Sequence, residues 1–309
     1  MKYGFIFPGQ GSQSTTMLAA YGEHPVVANA VHEASESLGM DLAAIIADDT
    51  AINRTENTQP AMLAVCVGVY RAVCQAGISA TVFAGHSLGE YTALVCAAAL
   101  DFKKALKLVR KRGLAMQAAV SLGDGAMAAV IGLAGEEVND VCENLRRNGA
   151  QVWAANYNSP QQTVIAGLKS SVEDAMVLLK KQGAKRSAFL PVSVPSHCSL
   201  MNPATAALKE QIAPAFIGPP TVPILQNVSA DVATTDGESL AQNLLAQLEN
   251  PVRWVDIVRK MAAMGVGRFY ECGPGKVLCG LGRRIVPDAE HIALADSAAL
   301  REHWGNLSG

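Results

Sequence analysis

A serine between two glycines places the strongest constraint on how this chain can fold. Residues 85–89 read Gly-His-Ser-Leu-Gly, after a short apolar run at 81–84 and before a segment, 88–100, with helical apolar spacing and no proline. In a nucleophile elbow the serine stands on a tight strand-to-helix turn, and the flanking glycines let strand and helix pass closely. An ordinary glycine-flanked turn is the alternative, since the short motif also occurs by chance. The context favours an α/β fold with Ser87 as a covalent nucleophile.

Composition excludes several classes of function. The 309 residues are 50% hydrophobic and 17% charged, which suits one large α/β domain or a large and a small one. A net charge of -2 gives no surface for polyanions, so nucleic acid is not an expected partner. The seven cysteines form neither a CxxC pattern nor an even disulfide set, and the apolar run near the N-terminus is too short for a signal peptide. We therefore expect a soluble, cytoplasmic protein with no membrane span and no metal site.

A glycine-rich loop follows the first expected strand, at residues 3–7. Residues 8–13 read Pro-Gly-Gln-Gly-Ser-Gln, and such a loop exposes backbone N–H groups. Near a serine elbow these groups can form one arm of an oxyanion hole, with the other arm from Leu88, the residue after the nucleophile. The alternatives are a plain turn and a phosphate cradle, but a P-loop would end in Gly-Lys-Ser/Thr and no lysine is present.

Two helices are expected between this strand and the elbow strand, at 25–38 and from about 59 to 76, with Pro60 in the first turn. The order strand, helix, helix, strand favours a parallel sheet with helical crossovers. Further along, a strand is expected at 221–228, and residues 269–278 repeat the design of strand, glycine loop and helix. We expect that third loop to border the same cleft.

One basic residue interrupts the apolar stripe of the helix expected at 101–117. Arg112 lies three positions after Val109 and four before Met116, so it shares their helix face. Leaving a buried charge unpaired costs roughly 3–5 kcal/mol, so an anion is expected to meet this guanidinium. Periodicity leaves two alternatives open: an internal salt bridge with a core carboxylate, or a bidentate fork for a substrate carboxylate.

The sequence pattern changes after Gly125. The expected order there is strand, helix, strand, strand, helix, strand, at residues 126–133, 136–148, 151–156, 162–166, 170–182 and 188–194. That order is typical of a ferredoxin-like domain. We therefore expect an α/β-hydrolase-like catalytic domain with a parallel sheet, residues 1–125 and 195–309, interrupted by a ferredoxin-like small domain at 126–194.

Of the six histidines, His197 is the best placed to act as the base for Ser87. It follows the small domain directly, in Val-Pro-Ser-His-Cys at 194–198, where a cleft between domains would form. His86 adjoins the serine, but its side chain is expected to point away and support the turn. A polar loop histidine is the bland alternative for His197, and nothing marks Cys198 as an activated nucleophile. The other four histidines lie in polar helical surroundings or in the C-terminal tail.

No acidic partner for His197 stands out in the sequence. The order Ser, acid, His of the α/β-hydrolases offers Asp101, Asp124, Asp140 and Asp174, none of them in a distinctive context. A backbone carbonyl can instead hold the second ring nitrogen, which fixes the tautomer without adding charge.

Seven short motifs, in one order and over nearly the whole chain, resemble the malonyl-CoA:acyl carrier protein transacylase family. Each is weak alone, and the combination is specific. They read Pro-Gly-Gln-Gly-Ser-Gln, Gly-His-Ser-Leu-Gly-Glu-Tyr, Arg-Gly-x-x-Met-Gln, Gly-Ala-Met-Ala-Ala-Val-Ile-Gly-Leu, Val-Pro-Ser-His-Cys, Asn-Pro-Val-x-Trp and Gly-Pro-Gly-Lys-Val-Leu. The chain departs from the family at Thr16, where glycine is usual, and in the tail from His291.

The resemblance implies roles for individual residues. Ser87 would carry the acyl group and His197 would be its base. The amides of Gln10 and Leu88 would form the oxyanion hole.

Two further roles follow from the same resemblance. Arg112 would bind the malonyl carboxylate. The backbone carbonyl of Gln247 would orient the histidine, which explains why no acid stands out.

The implied reaction moves the malonyl group from malonyl-CoA to the phosphopantetheine thiol of acyl carrier protein, supplying extender units for fatty acid synthesis with no permanently bound cofactor. The alternatives are a malonyl transferase subunit of a malonate decarboxylase or polyketide system, a serine hydrolase, and a non-catalytic carrier-docking subunit. The pairs Lys185-Arg186 and Arg283-Arg284 are candidates, from charge alone, for steering an acidic carrier.

Overall fold

Two β-sheets organise the part of the chain that the computed structural model describes, residues 2–22, 24–192, 194–212 and 217–304. The strands are β1 (Lys2–Phe7), β2 (Val82–Gly85), β3 (Gly125–Ile131), β4 (Val152–Ser159), β5 (Gln162–Leu168), β6 (Arg186–Phe189), β7 (Ile224–Leu225), β8 (Val266–Cys272) and β9 (Glu290–Leu294). The helices are α1 (Pro25–Leu38), α2 (Leu42–Ala47), α3 (Asp49–Ile52), α4 (Thr55–Gln75), α5 (Leu88–Cys96), α6 (Phe102–Ala118), α7 (Gly135–Arg147), α8 (Lys169–Lys181), α9 (Asn202–Leu208), α10 (Gly237–Glu249), α11 (Trp254–Ala263), α12 (Val277–Ile285) and α13 (Ser297–Trp304).

The larger sheet consists of five parallel strands in the order β7-β2-β1-β8-β9. Its central strand is buried on both faces, because Phe5 and Phe7 pack into one apolar core and Ile6 packs into the other. Burial on both faces is typical of parallel sheets covered by helices. Here α4 and α5 contribute to the first core, and α11 and α12 to the second. The parallel sheet expected from the order of elements is confirmed.

The smaller sheet consists of four antiparallel strands in the order β4-β5-β3-β6. Alternate residues of β3 face opposite sides, as the pleat requires. Ala128 and Val130 pack against α7 and α8, whereas Met127 packs on the other face with Val164. That second face borders the cavity described below.

The helix predicted to begin near residue 59 begins earlier, at Thr55, so the prediction that Pro60 lies in the first turn is wrong. Pro60 lies inside α4, where it removes one backbone hydrogen bond. The helix is buried along most of its length between α1 and α6. Packing on that scale outweighs the local signal of a proline.

Two other boundaries differ from the expectation. The strand predicted at 221–228 is only the two-residue β7. The chain leaves the small sheet after Phe189 instead of continuing to 194, and Leu190 then lines the cavity. Toward the C-terminus, β9 adds to the large sheet and α13 follows. Within the described ranges, no helix has both the length and the hydropathy to cross a membrane.

Candidate active site

Ser87 occupies the sharp turn between β2 and α5, with a backbone φ of 52°. A positive φ is uncommon for a residue with a side chain and marks a turn that its surroundings hold in place. Both flanking glycines are required by close contacts. A Cβ at Gly85 would lie 1.8 Å from the carbonyl carbon of Gly89, and a Cβ at Gly89 would lie 2.0 Å from the carbonyl oxygen of Phe7. The chain therefore makes the strand, elbow and helix that its sequence indicated.

Asn227 holds this elbow from the turn that follows β7, the strand next to β2. Its Oδ1 accepts a hydrogen bond from Ser87 N at 2.7 Å, and its Nδ2 donates to the carbonyl of Gly85 at 2.6 Å. Sequence reasoning assigned this residue no role. The one available signal was its position, since a polar residue two positions after a short parallel strand such as β7 lies at the edge of the sheet where sites form.

His197 lies beside the serine. Its Nε2 is 2.8 Å from Ser87 Oγ, and its Nδ1 is 2.7 Å from the backbone oxygen of Gln247. A carbonyl oxygen can only accept, so Nδ1 carries the proton and Nε2 is left free to accept the serine proton. The His197 backbone also has a positive φ, 63°, and its N–H donates to the carbonyl of Leu248 at 3.0 Å. The imidazole is therefore fixed in both position and tautomer.

The environment of His197 favours the neutral imidazole. Burial first, and the nearby positive charge of Arg112 second, lower its pKa from the ordinary 6.5 to about 3. The four aspartates that the sequence offered as partners all lie on the surface, at Asp101, Asp124, Asp140 and Asp174. Among the described residues no carboxylate hydrogen-bonds to the ring.

Arg112 is buried, with a relative exposure of 2%. Its Nη1 donates to Gln59 Oε1 at 2.9 Å, and its Nη2 donates to Gln247 Oε1 at 3.0 Å and to Ser87 Oγ at 3.2 Å. All three acceptors are neutral. Within the described chain it forms no salt bridge, so the first of its two sequence alternatives is not observed. The guanidinium charge remains available beside the nucleophile.

Gln247 connects the groups around the serine. Besides its contacts with His197 and Arg112, its Nε2 donates to the carbonyl of Ser87 at 3.0 Å and to Glu90 Oε2 at 2.6 Å. Sequence reasoning gave no role to Glu90, or to Gln59. Glu90 is a charged residue on a mostly apolar, buried helix, and that contrast is the signal that could have found it, whereas Gln59 ends a polar run at the start of α4 and carries no such contrast.

The other candidates near the serine are placed elsewhere. His86 Nε2 lies 2.8 Å from Asn158 Oδ1 on the small sheet, so it joins the two sheets rather than serving Ser87. The Cys198 thiol donates to the carbonyl of Pro195, and burial raises its pKa to about 12, which leaves it unreactive at neutral pH. His291 packs against Phe269 in the large sheet.

Ser87 lines a cavity of about 260 Å³ between the two sheets. Gln10 and Leu88 line it as well, and within the described ranges neither of their backbone N–H groups donates a hydrogen bond. Free N–H groups beside a nucleophile are suited to stabilising an oxyanion. The third glycine loop, expected to border the cleft, contributes the helix after it: Val277 and Leu278 of α12 line the cavity.

An elbow serine paired with a histidine in an α/β fold is an arrangement suited to acyl transfer. Residues 4–303 match the acyl transferase domain family. The chain is 47% identical over 303 residues to the malonyl CoA-acyl carrier protein transacylase of Escherichia coli, a match that covers 97% of each chain.

Solved structures agree with this match. The malonyl CoA-acyl carrier protein transacylase from Coxiella burnetii superposes with a TM-score of 0.95 at 42% identity, covering 100% of this chain and 98% of that one. A malonyl-transacylase in complex with its type II polyketide acyl-carrier protein superposes with a TM-score of 0.95 at 43% identity, covering 99% and 100% of the two chains. The chain therefore belongs to the acyl transferase domain family and, within it, to the malonyl CoA-acyl carrier protein transacylases. The family resemblance of the seven motifs is confirmed.

Proposed function

We propose that this protein transfers the malonyl group of malonyl-CoA to the phosphopantetheine thiol of acyl carrier protein, through a malonyl ester on Ser87, and so supplies extender units for fatty acid synthesis. One observation carries the proposal: Ser87 Oγ lies 2.8 Å from His197 Nε2 and 3.2 Å from Arg112 Nη2. The base suits ester formation, and the buried cation suits a substrate with a carboxylate.

In the first half-reaction, neutral His197 accepts the Ser87 proton while Ser87 Oγ attacks the thioester carbonyl carbon of malonyl-CoA. The backbone N–H groups of Gln10 and Leu88 stabilise the resulting oxyanion. The C–S bond then breaks, the proton passes from His197 to the departing sulfur, and the malonyl group remains on Ser87.

The second half-reaction runs the same steps in reverse with a different thiol. His197 accepts the proton of the carrier's phosphopantetheine thiol, whose sulfur attacks the malonyl ester. Ser87 Oγ leaves and recovers the proton from His197. The acyl group is held covalently throughout, so the reaction requires no permanently bound cofactor.

Arg112 links substrate choice to the strength of the base. Its charge contributes to the low pKa of His197, so a malonyl carboxylate paired with the guanidinium would offset that charge and make the imidazole more basic. Acetyl-CoA brings no carboxylate and leaves the guanidinium with its neutral partners. We therefore expect selectivity for malonyl both in binding and in the acylation rate.

The proposed domain limits are residues 1–125 and 195–309 for an α/β-hydrolase-like catalytic domain, and 126–194 for a ferredoxin-like small domain. The strand order of the small sheet, with α7 and α8 on one face, supports the second assignment. Seven free cysteines support a cytoplasmic location, because thiols persist in a reducing compartment.

A basic rim is proposed to steer the acidic carrier. Arg284 Nη1 donates to Gln162 Oε1 at 3.2 Å, and Gln162 lines the cavity, so this arginine lies close to its mouth. Rim charges of this kind act mainly on the association rate.

Intact-mass measurement in two steps tests the function. Mixing the protein with malonyl-CoA should increase its mass by one malonyl group. Adding a holo acyl carrier protein should then return the protein to its original mass and increase the mass of the carrier by one malonyl group. Release of free malonate without a carrier would instead identify a serine hydrolase, and no increment at all would identify a docking subunit. A preference for a polyketide or malonate decarboxylase carrier over the fatty acid carrier would assign the protein to a different pathway, with the same acyl-transfer reaction.

A further inference from the structure

Glu90 is a buried carboxylate three residues after the nucleophile, on α5. Its relative exposure is 2%, and in the part of the chain that the structure describes it forms no salt bridge. A buried carboxylate without a direct counter-ion is costly. Its place beside the active site therefore calls for a role other than stability.

The hydrogen bonds of Glu90 lead to the reacting groups. Its Oε2 accepts from Gln247 Nε2 at 2.6 Å and from Asn227 N at 3.2 Å. Both donors also hold the elbow: Gln247 Nε2 donates to the carbonyl of Ser87 at 3.0 Å, and Asn227 Oδ1 accepts from Ser87 N at 2.7 Å. Glu90 thus lies directly behind the residues that surround the nucleophile.

The carboxylate fixes which way the Gln247 amide points. The ionised Glu90 carboxylate and the Ser87 carbonyl can only accept, so the NH₂ group faces them, and Oε1 then faces the donors of Arg112. A flipped amide would set oxygen against carboxylate and NH₂ against guanidinium. The backbone oxygen of the same residue accepts from His197 Nδ1, so Gln247 contacts both Arg112 and His197.

Arg112 is the charged group that acts on Glu90. Burial outweighs the opposing hydrogen bonds from Gln247 and Asn227 and the opposing charge of Arg112 on α6, so the pKa of Glu90 is raised to about 7. Tyr91 on its own helix is the other titratable neighbour, and burial raises the pKa of that phenol to about 12, so it stays neutral. Glu90 accordingly exchanges between charged and neutral forms near neutral pH.

We propose that Glu90 is a positioning residue for the reaction: through Gln247 it holds Arg112 and His197 in place, and its charge competes with the substrate carboxylate for Arg112. The proposal rests on the proposed function, in which Arg112 binds the malonyl carboxylate. A carboxylate there brings a second negative charge near Glu90 and favours its protonated form. Malonyl-CoA therefore binds more tightly as the pH falls through the Glu90 pKa, and acetyl-CoA does not respond.

Two variants separate the charge of Glu90 from its geometry. Glu90→Gln keeps an oxygen that accepts from both donors and removes the charge, whereas Glu90→Leu removes both. Glu56→Gln is the matched control, because Glu56 is also a buried carboxylate, on α4, but pairs with Arg54, the residue before that helix. Values of kcat and KM are measured with malonyl-CoA and acetyl-CoA between about pH 5 and pH 9, at equal folded concentration checked by circular dichroism.

For the wild type and Glu56→Gln, the KM for malonyl-CoA is expected to rise by about tenfold as the pH rises through neutrality, the effect of a coupled pKa shift of about one unit. Glu90→Gln should remove that dependence and hold the KM at its low-pH value. Glu90→Leu should lower kcat by about tenfold or more at every pH, because the Gln247 amide loses its orientation.

A malonyl-CoA KM for Glu90→Gln that still follows the wild-type pH profile would overturn the charge competition. An unchanged kcat in Glu90→Leu would overturn the positioning role, and so would a lower melting temperature with no change in either profile. If Glu90→Leu does not fold, the profile of Glu90→Gln decides. A wild type that transfers no malonyl group would contradict the proposed function instead, before any variant is compared.

Discussion

The two walls of the active-site cavity differ in kind. On the side of the large sheet, Ser87, Arg112 and His197 are each fixed by hydrogen bonds to buried neighbours. On the side of the small sheet, the wall is mostly apolar and includes Met127 and Val164. A polar group in a buried site needs defined hydrogen-bond partners, whereas an apolar wall needs only to match the shape of what it contacts. We infer that the chemistry and the choice of acyl group belong to the first wall, and that the second limits access of water.

Removing the base should have the largest effect among changes around the serine. His197→Ala is expected to slow acylation by malonyl-CoA by roughly 100-fold to 10,000-fold, the usual range for general acid–base assistance. Rapid-quench mass measurement of the malonyl-enzyme gives the rate. An unchanged rate would mean that another group accepts the Ser87 proton, and His197 would then have no catalytic role on the large-sheet side of the cavity.

Removing the guanidinium should change selectivity more than overall chemistry. In Arg112→Ala, malonyl transfer is expected to fall by roughly tenfold to a hundredfold, the loss of one charge-assisted contact. Acetyl transfer should fall little or rise, because the positive charge that weakens His197 is gone. The measurement is the ratio of initial rates with the two acyl-CoAs.

The exposed Lys107 of the same helix supplies a matched control for Arg112. Lys107→Ala should leave the malonyl-to-acetyl ratio at the wild-type value. An equal loss of malonyl and acetyl transfer in Arg112→Ala, together with lower thermal stability, would make Arg112 a structural residue. The choice of acyl group would then not depend on the large-sheet side of the cavity.

A change in the apolar wall should affect stability more than catalysis. Met127→Ala is expected to lower the free energy of unfolding by about 2 kcal/mol, at the low end for a buried methionine because the site already borders a cavity. Acylation by malonyl-CoA and acetyl-CoA should change together and by less than about tenfold. Val177→Ala, an exposed position in α8, is the control in urea unfolding. A selective loss of malonyl transfer in Met127→Ala would mean that the small sheet also selects the acyl group.

The smallest expected effect concerns the pH dependence of acylation, which should lack the inflection that an ordinary histidine gives near pH 6.5. Burial and Arg112 lower the pKa of His197 from its ordinary 6.5 to about 3, so the base stays neutral as the pH falls through 6.5. At saturating malonyl-CoA the acylation rate should therefore show no step near that pH. The unfolded chain does take up this proton between pH 6.5 and 3, so the contribution of His197 to stability is lost as the pH falls through that window. A tenfold decline in acylation per pH unit below 6.5 would show a solvated imidazole.

The elbow and the Arg112 stripe could be predicted from the sequence, because glycine spacing and helical periodicity are local properties. Asn227 could not, because its contact with Ser87 joins positions 140 residues apart and nothing near either one announces it. The role of Gln247 was predicted only from the family resemblance, because any residue type can supply a backbone carbonyl and the sequence therefore does not mark it. The start of α4 was misplaced because its burial between other helices is a tertiary property.

The acyl-enzyme itself tests the central claim most directly. After brief mixing with malonyl-CoA, intact-mass measurement should show one malonyl increment, and peptide mapping should place it on Ser87. Ser87→Ala should show none while keeping the wild-type circular dichroism spectrum, because the change removes only the attacking oxygen. An increment that persists in Ser87→Ala, for instance on Cys198, would contradict the account.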